Sequence, residues 1–231
     1  MSERFHLATP PRDGRAELRG DEARHLARVL RANVGDEDRL FCGDGVEWPA
    51  RIVRIGRDAV DLEAGPAMPD PPRSGPMRTI AVALPKGERQ KWLVEKLTEL
   101  GVDRLVPLET VRGVAEATAA ARARLERSVI EACKQCGRNR LLEIAAPCTV
   151  AELVAGATPG IRIVVADPGG GPLPAVVGED TKAVVGLVGP EGGFTAEELA
   201  AAEAGGGVRA SLGPHVLRVE TAAVALAARL A

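Results

Sequence analysis

Two short stretches of this sequence combine glycine, proline and charged residues in a way that could hold a ligand and act on it. LVGPEGGFT (187–195) ends an apolar run, turns through Gly189-Pro190-Glu191-Gly192-Gly193 and opens a helix. SLGPHVLRVETAA (211–223) repeats the design, with Gly-Pro, an extended apolar stretch and then a helix start at Arg218 and Glu220. Glycines at such points let backbone N–H and C=O groups approach a ligand with no Cβ in the way. Parallel α/β sheets bind ligands at the carboxyl ends of their strands, where both loops fall. A tight turn without a ligand is the other reading of 187–195 alone. The second loop weakens it, because Val216 and Leu217 gain nothing in a loop unless they pack on something flat. ADPGGG (166–171) is a third candidate wall, or else a flexible loop.

The spacing excludes two familiar ligands. A P-loop needs GxxxxGK[ST], and no Lys follows GPEGGF. A dinucleotide site needs GxGxxG early in its βαβ unit, with an acid about twenty residues on. Thr195 and Glu198 form a T-x-x-E capping box that starts the helix just beyond the first loop.

The elements that must position these loops follow from the hydrophobic pattern. RTIAVALP (78–85), VDRLVPL, IRIVVAD, AVVGLVG and VRASL read as apolar strands alternating with helices at ERQKWLVEKLTELG, roughly 116–137, TVAELVAG, TAEELAAAEA and ETAAVALAARLA. Continuous apolar strands separated by helices predict a parallel sheet covered on both faces. In ERQKWLVEKLTELG, Leu93, Leu97 and Leu100 share a face and Gly101 is the stop.

Residues 65–76, GPAMPDPPRSGP, hold five prolines and two glycines, too many for helix or sheet, and read as a linker. The division expected is 1–70 and 77–231. Before the linker, DEARHLARVLRA (21–32) is a helix with Leu26, Val29 and Leu30 inward. DRLFC, EWPARIVRI and AVDLEA are short strands with a hairpin turn at GDG (43–45), giving a small β-rich barrel or sheet domain. Arg24, Arg28 and Arg31 fall at i, i+4 and i+7 and share one helix face. That face is either solvated or a phosphate-contacting stripe.

Composition narrows the classes. The net charge is −2, so charge alone does not announce a nucleic-acid binder. Lysine is confined to Lys86, Lys91, Lys96, Lys134 and Lys182, a skew toward Arg that a GC-rich genome explains. The start has no apolar core of a signal peptide, and no window has the roughly 18 apolar residues of a membrane span. Four cysteines without a secretory signal suggest free thiols and a cytoplasmic location. Cys133-Lys134-Gln135-Cys136 spells CxxC, but no second pair stands at ligand spacing. His6, His25 and His215 share no motif, so no metal is expected.

LPKGERQKWLVEKLTELGV, EACKQCGR, LVGPEGGF and LGPHVLRVETA, in this order, resemble the RsmE family of 16S ribosomal RNA uridine-N3 methyltransferases, in the SPOUT superfamily. RHLARVLRANVGD agrees with that family's small RNA-binding barrel. The resemblance implies an α/β fold: a C-terminal SPOUT domain, a parallel sheet with a deep trefoil knot, plus a small N-terminal PUA-like β-barrel domain. It implies S-adenosylmethionine as cofactor, the 16S rRNA of the 30S subunit as substrate, and a homodimer that builds each site from both subunits. Carried onto this sequence, Leu187, Gly189, Pro190, Gly192 and Gly193 form one cofactor wall, and Leu212, Gly213, Val216 and Leu217 the facing one. Arg218 would stabilise charge on the uridine carbonyls, with Glu220 orienting it or accepting the N3 proton; dipole compensation is the other reading of Glu220. Lys86 and Arg89 become candidate RNA contacts, as do Arg24, Arg28 and Arg31; Arg138, with Gln135, becomes a candidate RNA or subunit contact, and Arg4 reaches toward a partner's site. Two rivals stay open: another SPOUT enzyme acting on tRNA or a ribose 2′-oxygen, and a non-catalytic RNA-binding assembly factor.

Overall fold

The computed structural model describes residues 3–115, 118–173, 178 and 180–230. The expected start of the long helix, at 116–117, and the last residue of the expected C-terminal helix lie outside the described residues. The chain forms two compact units, 1–72 with 130–141, and 73–129 with 142–231.

The first unit is a curled sheet. Its strands are β1 (Arg4–His6), β2 (Arg15–Arg19), β3 (Glu37–Phe41), β4 (Val46–Ile55), β5 (Ala59–Ala64) and β6 (Met68–Pro69), in the order β1-β3-β4-β5-β2, with β6 on β4. Gly43 and Gly45 turn the β3–β4 hairpin, both at positive φ. β6 lies inside the stretch expected to be linker; Pro69 is tolerated there because an edge strand needs only part of its ladder. Phe5, Leu18, Leu26, Leu40, Ile52 and Leu62 fill the core.

The expected helix at 21–32 is corrected. Helix α1 (Gly20–Arg24) runs into a π turn over His25–Val29, where the Leu30 N–H donates to the His25 carbonyl, five residues back. The wider turn breaks the 3.6-residue stripe. Leu26 stays buried, but Val29 is 66% exposed and Leu30 is exposed too. Arg31 sits beyond the helix at φ 54°, so it does not continue the face of Arg24 and Arg28.

Residues 130–141 are tied into this unit by polar contacts. Lys134 Nζ donates to Glu22 at 3.0 Å and lies 5.8 Å from the Phe5 ring centroid. Burial pushes the Glu22 carboxyl above its usual range, and Lys134 draws it back. Asn139 donates to Asp70 at 2.7 Å and accepts from Arg4.

The second unit carries β7 (Met77–Val82), α2 (Arg89–Glu99), β8 (Arg104–Glu109), α3 (Ala119–Cys136, shared with the first unit), β9 (Glu143–Ile144), β10 (Cys148–Thr149), α4 (Val150–Ala155), β11 (Ile161–Pro172), β12 (Ala183–Val188), α5 (Ala196–Ala204), β13 (Gly207–Ser211) and α6 (Val219–Arg229). Its sheet runs β10-β8-β7-β12-β11-β13, with β9 on β8, and each of these pairings is parallel. All six residues of β12 are buried, as expected of a strand paired on both sides and covered on both faces. β12 lies between β7 and β11 although β11 precedes it, and β13 returns to the far side of β11. That order sets the β11 bulge after Ala166 beside the carboxyl ends of β12 and β13.

Candidate functional site

The bulged part of β11 at 166–168 and the loops at 188–194 and 211–219 enclose a cavity of about 320 Å³, within the range of small-molecule sites; the expected loop at 166–171 is thus corrected to bulged strand. Volume alone does not select it. A larger hollow of about 1230 Å³ lies between β2, β5 and the loop after β1, and another of about 870 Å³ lies beside α4 and α5. What distinguishes the smaller cavity is glycine backbone on two of its walls, in the loops after β12 and β13.

Gly189, Pro190, Gly192, Gly193, Leu212, Gly213, Val216 and Leu217 all line this cavity. Leu187 does not. It is fully buried in the core with Ala81, Val106 and Val165, because alternate residues of a strand face opposite ways and Val188 takes the position at the cavity.

The first loop is held from several sides. Thr195 caps α5, and the Glu198 carboxylate accepts from the Thr195 N–H at 2.7 Å, completing the expected box. The other oxygen of Glu198 accepts from the Val111 N–H at 2.9 Å, tying the loop after β8 to the helix start. Arg112 Nη1 donates to the Gly192 carbonyl at 2.7 Å. Gly193 adopts φ 70°, where a side chain is strained, and a Cβ on Gly189 would meet the Phe194 ring at 3.1 Å. On the third wall, Asp167 accepts from Arg209 Nε at 2.5 Å, which holds the β11 bulge against β13.

The charged pair expected on the second loop is rearranged. Arg218 is the exposed N-cap of α6, between Leu217 and Val219, which line the cavity. Glu220 is 6% exposed and turned away from it. Residues two apart on a helix do not face each other, and the ion partner of Glu220 is Arg89, whose Nη1 lies 3.6 Å from Oε2. Arg89 also lies 3.6 Å from Glu191 Oε1.

The remaining candidates separate by environment. Lys86 is exposed in the loop after β7, and Gln135 is exposed at the end of α3. Arg138 is half-buried in the first unit, and its carbonyl accepts from Arg4 at 3.4 Å. Arg24 and Arg28 are exposed, Arg24 paired with Asp21. Arg4 is occupied: it donates to Glu47 and Asn139 and lies 5.1 Å from the Phe41 ring centroid. A guanidinium so engaged inside one unit is not open to phosphate, which corrects its expected role. Among the described residues no group of three His, Cys, Asp or Glu could hold a metal, and no helix is long and apolar enough to cross a membrane.

A family model for the RNA methyltransferase domain matches residues 73–231, and one for the RNA methyltransferase PUA domain matches 18–64. The ribosomal RNA small subunit methyltransferase E of Mycobacterium bovis is 34% identical over 240 aligned positions, covering 97% of this chain and 89% of its own. The chain belongs to the ribosomal RNA small subunit methyltransferase E family. A second member, from Bacillus subtilis, is 29% identical and covers 89% of this chain and 85% of its own. The crystal structure of the Neisseria gonorrhoeae member bound to S-adenosyl methionine superposes with a TM-score of 0.88 at 27% identity, covering 100% of this chain and 97% of that one. This methyltransferase therefore joins a SPOUT-type catalytic domain to an N-terminal PUA domain and uses S-adenosylmethionine.

The cavity fits that cofactor. Phe194, Leu199, Leu212 and Leu217 offer apolar surface to an aromatic base. The backbone of the glycine loops offers donors and acceptors, and the two carboxylates of the lining, Asp167 and Glu191, are each paired with an arginine, Arg209 and Arg89. Phe194 was legible in GPEGGF as a residue but not as a wall. Arg112 and Arg209 carry no signal in the sequence, because each is tied to the site only by the order of the strands.

Proposed function

We propose that this chain transfers a methyl group from S-adenosylmethionine to N3 of a uridine in the 16S rRNA of the small ribosomal subunit. The observation that carries the reading is the cavity walled by two Gly-Pro loops with the Arg218 cation at its edge, in a chain aligned over nearly its whole length with small-subunit rRNA methyltransferases.

When bound, S-adenosylmethionine supplies an electrophilic methyl group on a sulfonium. Gly189, Pro190, Gly192 and Gly193 on one side and Leu212, Gly213, Val216 and Leu217 on the other would hold it and exclude water. The uridine must be held in line, which accounts for most of what such a transfer needs from protein. Loss of the N3 proton puts negative charge on the flanking carbonyl oxygens, and Arg218 stabilises it. Glu220, facing Arg89, supports the start of α6 in this reading and leaves the N3 proton to solvent.

The exposed Arg24 and Arg28 in the PUA domain, with Arg31 beside them, are assigned to phosphate contacts, as are Lys86, Gln135 and Arg138. The chain is assigned to the cytoplasm, where its ribosomal substrate is. A homodimer completes each site, and a knotted path through the β11–β13 region is supported by the insertion of β12 between β7 and β11.

The test incubates the protein with labelled S-adenosylmethionine and undermethylated 30S subunits, then digests the RNA and identifies the labelled nucleoside by mass. We expect 3-methyluridine. Label in any other nucleoside, or in tRNA alone, overturns the substrate assignment.

A further inference from the structure

We propose that Arg89 is a positioning residue that latches the two cofactor loops together, and not an RNA phosphate contact. Arg89 opens α2 at the carboxyl end of β7. Its Nη1 stands 3.6 Å from Glu191, inside the first glycine loop, and 3.6 Å from Glu220, in the helix turn that leaves the second. One guanidinium therefore spans the two segments that clasp the cavity. The inference rests on the reading that these loops hold S-adenosylmethionine.

The two arms differ in weight. Glu191 is half-exposed, and an ion pair of that kind contributes little by itself. Glu220 is buried, its Oε2 makes no hydrogen bond, and among the described residues its only ion pair is with Arg89. Moving Arg89 out to a phosphate would leave that carboxylate buried and uncompensated, which is strongly unfavourable. Glu220 thus anchors Arg89, and Arg89 in turn restrains the more exposed partner, Glu191. Both contacts run through one nitrogen, Nη1, and the Lys ammonium ends one bond short of that position.

The experiment measures S-adenosylmethionine binding by calorimetry without RNA, together with KM for each substrate, for R89Q, R89K, R89Q/E220Q and G192V. R89Q should weaken cofactor binding by up to about fivefold, the upper scale of a partly exposed ion pair, and leave KM for 30S subunits unchanged. R89K should recover only part of the affinity. The double variant removes the buried charge with its partner, so it stays folded in a thermal scan and binds as weakly as R89Q. Unchanged cofactor affinity in R89Q overturns the latch. So does a raised KM for 30S with a flatter salt dependence, which would make Arg89 a phosphate contact. Wild-type affinity in R89Q/E220Q also overturns it, since Arg89 would then only neutralise Glu220. G192V separates this failure from that of the underlying reading: if it binds the cofactor normally, the loops themselves are not the site.

Discussion

At the scale of single residues, the site divides into positions whose type is dictated by the backbone and positions dictated by charge. Gly193 needs its φ of 70°, and Gly189 lies against Phe194, so glycine at both was visible in the sequence as a demand for close approach. Arg218 belongs to the second kind. It lies next to the cavity lining without joining it, and nothing in the fold depends on it: it is exposed and makes no side-chain cap. Arg218→Ala should therefore leave the thermal transition and S-adenosylmethionine affinity unchanged while lowering kcat about 10²–10³-fold, the cost of losing one donor to a developing oxyanion. Single-turnover kinetics at saturating cofactor measure this directly. A loss of cofactor affinity in place of kcat would move Arg218 into the binding wall. The expected partnership of Arg218 with Glu220 was not legible correctly. Adjacency in sequence suggested it, but a helix start sends the two side chains to different faces, and only the packing of α2 on α6 brings Arg89 to Glu220.

At the scale of elements, the strands of the sheet were legible because burial on both faces leaves an unbroken apolar run, as in AVVGLV. What was not legible is why a glycine interrupts that run. A Cβ on Gly186 would stand 2.6 Å from Leu226 Cδ2 and 3.1 Å from Ile80 Cδ1, so α6 sits against bare backbone. Gly186→Ala should destabilise the protein by about 1–3 kcal/mol through overpacking. Because α6 begins at the second cofactor loop, cofactor affinity should fall with it. Denaturant unfolding measures the first effect and calorimetry the second. Adding Leu226→Ala should relieve part of the strain, and a double variant no more stable than Gly186→Ala would place the strain elsewhere. The helix after β2 shows the opposite limit. Its apolar spacing satisfies a regular helix, yet the i→i+5 turn turns Val29 and Leu30 outward. The short strands β1, β2 and β10 are not legible, because two to five residues with mixed burial carry no periodicity.

At the scale of the whole molecule, the sequence pattern separated a β-rich N-terminal part from an alternating α/β part. It had no means of assigning 130–141 to the first unit. Those residues continue a helix whose earlier turns belong to the second, and their attachment is polar, through Lys134–Glu22 and Asn139–Asp70. The remaining question at this scale is how many chains complete one site. Val216 is a cavity-lining residue and yet 82% exposed, with Val111 exposed to a similar degree in the loop that Glu198 holds. Singly exposed valines are ordinary on a surface, so their cover is a matter for the proposed dimer to be tested on. The cofactor can cover one face of Val216, but Val111 does not line that cavity. The proposed homodimer would cover both, and closed two-fold dimers are the commonest homo-oligomers. Light scattering without cofactor should then give a mass about twice the 24.1 kDa of one chain. Val216→Asp should lower that mass and cofactor affinity together, with weaker binding on dilution. A single-chain mass at full cofactor affinity would instead place the whole cofactor site within one subunit, and would leave Val111 and Val216 to be covered by RNA.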